Sequence, residues 1–223
     1  MKNYLDPDFI KNFTTAYNNL YNLHPQINND EFRFKYLRVD WFFPNHINNV
    51  LIQIKKIGES HYKNEIDFQV CLYAALFHDA GLIYKRDTPD PTGHENRSVE
   101  YAKIELKNFG YDDNFINEVS ECIKSTELDH NPTSKEAQLL RNADAYAHII
   151  SMHFFGKANF TKEIDEFIDW FEDKVESTFY KINLTELSDE VEPLIEKYRE
   201  MIINYKENKL ESDFLATLFA EYE

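Results

Sequence analysis

The stretch Leu72-Tyr73-Ala74-Ala75-Leu76-Phe77-His78-Asp79-Ala80-Gly81 decides how this chain is read. Six apolar residues of helical character end abruptly in an imidazole and a carboxylate side by side. A carboxylate directly after such a run sits near the core. Left unpaired there, it is strongly destabilising or shifts its pKa until it neutralises. A metal ion shared between Asp79 and His78 is the simplest compensation.

Outward from this stretch, nearly every segment has helical periodicity. Residues from about Asp8 to Leu23 place Phe9, Phe13, Tyr17 and Leu20 on one face. After an aromatic, charged stretch around Phe32–Phe43, Pro44 opens a predicted helix running to about Ile57. Its apolar face carries Ile47, Val50, Leu51 and Ile54, and His46 lies in its first turn. The helix holding the decisive stretch is predicted from about Asn64 to Ala80, with Gly81 as its C-terminal stop. Tyr84 to Gly93 contains two prolines and a glycine and reads as a loop.

A helix follows from about His94 to Phe109, closed by Gly110. The next carries Phe115, Ile116, Val119 and Ile123, with Asp112 or Asp113 as its cap. Thr133 and Glu136 have capping-box spacing and open a helix through about His153. Beyond Gly156 come acidic amphipathic helices at roughly 162–179, 188–206 and 212–222. The expectation is an all-α helical bundle forming a single domain over 1–223, with the C-terminal helices packed on it as the preferred reading; a lid or a homodimer contact stays open as the alternative.

Composition agrees. Only 5 glycines and 7 prolines in 223 residues argue against a turn-rich β protein. The aromatic share of 15% reads as filling for helix–helix interfaces rather than a platform for stacking bases. A net charge of −16 disfavours stable nucleic-acid binding and anionic membrane surfaces, yet tolerates a small phosphorylated substrate if a metal inverts the local field. The N-terminus has no apolar run after Lys2, so it does not read as a signal peptide, and no stretch approaches a membrane span. Cys71 and Cys122 lie far apart in apolar helical patterns. They read as buried reduced thiols, which fits a cytoplasmic location.

Four residues stand out as metal ligands: His46 at one helix start, His78 and Asp79 at the end of another, and Asp144 within Asn142-Ala143-Asp144-Ala145. Two imidazoles and two carboxylates make a mixed donor set suited to borderline divalent metals such as Mn, Fe, Co, Ni or Zn. Only a folded bundle can bring them together. A plainer reading pairs Asp79 and Asp144 with Arg141 or Lys124 as structural ion pairs.

Over roughly residues 36–155 the chain resembles the HD superfamily of metal-dependent phosphohydrolases. Asn45-His46-Ile47 resembles that family's first histidine, and Ala74–Gly81 resembles its apolar helix and His-Asp doublet. His94-Glu95-Asn96-Arg97-Ser98 is similar to the opening of the helix that follows the doublet. Ile123–Thr126 with His130 is similar to a stretch carrying a further histidine in many members, and Asn142-Ala143-Asp144 resembles the last metal-binding aspartate. The resemblance implies one or two divalent ions (Mn, Fe, Co, Ni, Zn or Mg), the second held by His94 and His130. It implies hydrolysis of a phosphate ester or pyrophosphate bond in a small molecule, a nucleotide being the leading class, by a metal-activated water.

Asp79 takes part as a ligand, and Asp87 and Glu95 are the candidate general acids or bases by resemblance. Lys85 and Arg86, just after the doublet, are placed to meet phosphate, with Arg97, Lys124 and Arg141 as further cations. Leu82 and Ile83 follow Gly81, so the signature of the cyclic-dinucleotide phosphodiesterases is missing. The alternative is a catalytically silent HD module that binds a nucleotide or metal as a sensor.

Overall fold

The structure is a computed structural model describing residues 6–23, 45–63, 65–85, 92–151, 154 and 163–207. The stretch around Phe32–Phe43, the helix start at Pro44 and the expected helix at 212–222 lie outside these residues. Eight helices and no strand occur among the described residues, so the chain is all-α. It divides into two compact units, residues 1–147 and 148–223.

In the first unit, α3 (Phe68–Phe77) is central. Every residue of it except Leu72 is buried, and it packs against α1 (Pro7–Leu23), α2 (Ile47–Ile57), α4 (His94–Asn108) and α5 (Asp113–Lys124). Burial on all sides is why its sequence lacks a polar face. Tyr73 meets Phe9 edge-on at 5.4 Å and Phe115 edge-on at 6.0 Å, and stacks on Phe77 at 5.9 Å. The aromatic excess is used here to fill gaps between helices.

The ends of α3 differ from expectation. It begins at Phe68 rather than near Asn64, because Asp67 is extended and its carboxylate accepts the Gln69 N–H at 2.9 Å. It ends at Phe77, before the doublet; His78 and Asp79 form a turn into a short 3-10 segment, Ala80–Leu82. Gly81 is therefore not a left-handed helix stop. It is needed for close approach: a Cβ there would lie 2.0 Å from the His94 carbonyl oxygen. The left-handed stop occurs at Gly110 (φ 81°), where the Gly110 and Tyr111 N–H groups close onto the Lys107 and Leu106 carbonyls at 3.0 and 3.1 Å.

Asp112 caps α5, accepting from the Phe115 N–H at 2.9 Å. The cap of α6 (Lys135–Ile150) is Ser134, whose hydroxyl accepts the Ala137 N–H at 3.1 Å, not Thr133. Glu136 forms no capping box; its carboxylate accepts the Asp67 N–H at 3.0 Å and ties α6 to the start of α3. His153, the expected end of this helix, lies outside the described residues. Cys71 and Cys122 are buried free thiols, and burial pushes both upward from their ordinary pKa.

In the second unit, α7 (Ile164–Tyr180) packs along α8 (Thr185–Lys206). Phe167 and Phe171 stack at 5.4 Å, and Phe171 meets Tyr198 at 5.3 Å. No helix among the described residues is long and apolar enough to cross a membrane.

Candidate metal centre

The four prospective ligands arrive from three elements. His46 sits in helical conformation just before α2, the doublet occupies the turn after α3, and Asp144 lies in α6 between the buried small residues Ala143 and Ala145. All four side chains are buried or nearly so, with His78 only 1% exposed.

Their donor atoms converge. His46 Nε2 lies 3.3 Å from His78 Nε2, 3.2 Å from Asp144 Oδ1 and 3.6 Å from Asp79 Oδ2. His78 Nε2 lies 3.4 Å from Asp79 Oδ2 and 3.5 Å from Asp144 Oδ1. An ion about 2.0–2.2 Å from each donor places neighbouring donors about 2.8–3.6 Å apart, so the observed edges match a shared cation. His46, His78 and Asp79 each offer an atom within reach of one ion.

The His78 ring is oriented by backbone: its Nδ1 donates to the Ala75 carbonyl at 2.7 Å, which in the neutral tautomer turns the Nε2 lone pair toward the cluster. Two imidazole nitrogens and two carboxylate oxygens at these distances need positive charge among them. Without a cation, protons meet that need. Burial acts to lower the His78 imidazole, but the charge of Asp79, together with Asp144 and the Ala75 carbonyl, lifts it to about 9. Burial acts to raise Asp79, yet His78, His94 and His46 hold its carboxyl well below the usual carboxylate range. The donor set therefore fits a divalent metal.

The other sequence candidates separate clearly. His94 Nε2 is 3.3 Å from Asp79 Oδ1, and its Nδ1 is 3.3 Å from Glu95 Oε2, so His94 and Glu95 border the centre. His130, expected to join His94, instead pairs with Glu121 at 2.7 Å, where Thr133 also donates to the carboxylate. The Asp129-His130-Asn131 segment gave no sign of that partner, which lies on α5.

Arg141 is a correction. Its 4%-exposed side chain donates to the carbonyls of Ser125, Glu127, Leu128 and His130 at 2.7–3.2 Å, so it anchors the chain leaving α5 rather than meeting phosphate. That engagement also sets aside Arg141 as a simple partner for Asp144. Arg97 is likewise held by carbonyls, donating to Gly81 and Thr92. Lys85 is ion-paired with Glu100, and Lys124 is a half-buried residue at the end of α5 whose charge acts on Glu121. Arg86 and Asp87 lie outside the described residues. Sequence reading missed the Ala75 carbonyl, Glu121 and the role of Ser98. The first is backbone and leaves no signal; Ser98 stood in the motif that opens the helix after the doublet, but nothing there named Gly81 as its partner.

No curated protein and no solved structure matches the chain. Residues 45–149 match the HD domain family, a span that takes in His46, the doublet and Asp144. The arrangement of imidazoles and carboxylates on helices agrees with that match, so residues 45–149 form an HD domain.

Proposed function

We propose that this chain is a metal-dependent phosphohydrolase acting on a phosphate ester or pyrophosphate bond in a small molecule, with a nucleotide as the preferred class. The observation that carries the reading is the convergence of His46, His78, Asp79 and Asp144, with donor atoms 3.2–3.6 Å apart, from three separate elements. A divalent cation held by these donors supplies Lewis acidity, which makes water nucleophilic near neutral pH and offsets charge developing on the phosphoryl group.

The chain's own residues do the rest. The Ala75 carbonyl fixes the His78 tautomer. Asp79 divides its oxygens, Oδ2 toward His46 and His78, Oδ1 toward His94. His94 stands between Asp79 and Glu95, 3.3 Å from an oxygen of each, a geometry that can relay a proton toward a departing oxygen. The His94 and Glu95 side chains are 22% and 14% exposed, so this path opens toward solvent. Lys85 follows the doublet closely and meets a substrate anion by exchanging its exposed pairing with Glu100; Arg86 supplies a second cation and Asp87 the rival acid.

The test combines metal analysis with a phosphate-release screen over nucleotides, phosphate monoesters and pyrophosphate, comparing wild type with Asp79→Ala. The expected result is bound metal and turnover in the wild type, with turnover falling more than about a hundredfold in the variant while the helical circular dichroism persists. Turnover that survives Asp79→Ala sinks the proposal. Tight metal binding with no turnover on any substrate favours the sensor instead.

A further inference from the structure

Helix α4 meets the turn after the doublet at closer range than any side chain at Gly81 permits. A Cβ there would lie 2.0 Å from the His94 carbonyl oxygen and 2.7 Å from the Ser98 nitrogen. Across this contact both polar backbone atoms of Gly81 are taken by α4 side chains. The Gly81 N–H donates to Ser98 Oγ at 2.8 Å, and its carbonyl accepts from Arg97 Nε at 2.9 Å. The same guanidinium donates through Nη1 to the Thr92 carbonyl at 3.0 Å. One planar group thus holds both ends of the connection between the 3-10 segment and α4. Ser98 is fully buried, so its hydroxyl serves the backbone in a dry setting.

We propose that Ser98 and Arg97 are positioning residues for cation binding, acting through Gly81 to fix the turn that presents Asp79 to His46, His78 and Asp144. This inference rests on the metal-hydrolase reading above. Gly81 lies two residues beyond Asp79, and the turn between them is short. Leu82 N–H closes onto the Asp79 carbonyl at 2.9 Å, and Ile83 N–H onto the Ala80 carbonyl at 3.0 Å. A shift at Gly81 is therefore carried to the Asp79 carboxylate. The donor geometry accounts for arginine at position 97: two carbonyls on opposite sides of a connection need donors that diverge in one plane, which a lysine ammonium cannot offer.

The experiment measures Mn2+ and Co2+ affinity of the full chain by calorimetry, the visible absorption of the Co2+ form, and the melting temperature in chelator. The proteins are wild type, Ser98→Ala, Arg97→Met and Leu20→Ala, the last a core truncation in α1. Both clamp variants are expected to bind the ions about 10–100-fold more weakly and to show altered Co2+ absorption. Leu20→Ala is expected to melt earlier with affinity and spectrum unchanged. Clamp variants that bind within twofold of wild type with an unaltered Co2+ spectrum, whatever their melting temperature, overturn the proposal. If Ser98→Ala fails to fold, Arg97→Met at its half-buried position carries the same test. A wild type that takes up neither ion overturns the parent reading and this one with it. A wild type that binds alongside clamp variants that bind equally well overturns the clamp alone.

Discussion

In the hairpin of α7 and α8, charged side chains stay at the surface. Arg199 forks onto Glu176 at 2.6 and 2.7 Å, Lys206 reaches Glu172, and no charged side chain is buried among the described residues of either helix. In residues 1–147 the opposite holds: His46, His78, Asp79, Arg141 and Asp144 are all at or below 9% exposure. Exposed pairs contribute little and need no explanation beyond solvation. Buried charges demand a compensating partner. Arg141 has one in a fan of carbonyls, whereas the His/Asp cluster gathers imidazoles and carboxylates whose donor atoms suit a cation. The contrast places the candidate metal ligands in the first unit, and no comparable cluster of His and Asp occurs among the described residues of the acidic hairpin.

The sharpest way to break this contrast is Asp144→Asn, which removes a ligand charge while keeping the shape. Metal content by mass spectrometry is expected to fall to background; full occupancy in the variant would show that the buried carboxylate is not there for an ion. Gly81→Ala comes next. With the new Cβ 2.0 Å from a backbone oxygen, the expected loss is about 3 kcal/mol or more in chemical denaturation, and a variant as stable as wild type contradicts the close approach.

The two arginines give a direct pairing. Arg141→Met leaves one buried and three part-buried carbonyls short of a donor and is expected to cost about 1–3 kcal/mol, whereas Arg199→Met on α8 is expected to cost less than about 1 kcal/mol. Equal midpoints for the two would erase the distinction between the units. The smallest effect concerns Glu121, which the hydrogen bond from His130 holds below its ordinary carboxylate pKa. A depressed folded value means that its stabilisation is present above the unfolded pKa of about 4.5 and is lost as pH falls through the folded value. Glu121→Gln should therefore melt up to about 3 °C below wild type at pH 7, with the gap closing under strong acid. A gap that widens in acid reverses the sign and excludes the explanation.

How much of this was legible follows from what a linear pattern records. The apolar run before His78 announced a helix buried all round, and the donor chemistry of His46, the doublet and Asp144, with the resemblance they carry, led to the expectation of one metal site, whose donor atoms the fold brings 3.2–3.6 Å apart. Helix starts were read less well where two candidates compete. Asp67 displaced the region near Asn64, and Ser134 displaced Thr133, each decided by which oxygen reaches an N–H two or three residues on. Arg141 and Arg97 were misread for one reason: their partners are backbone carbonyls, which have no letter in a sequence. His130 was misread because Glu121 is nine positions away on a separate element.

The bond from His78 Nδ1 to the Ala75 carbonyl carries a consequence for the evolution of this chain. It links the direction of a metal-facing nitrogen to the phase of a helix, since the acceptor is three residues back in α3. Inserting or deleting one residue inside α3 would swing the doublet by about 100° around the helix axis. Such an indel would dismantle the centre while leaving every ligand residue intact, so length within α3 should be as immutable as the ligands.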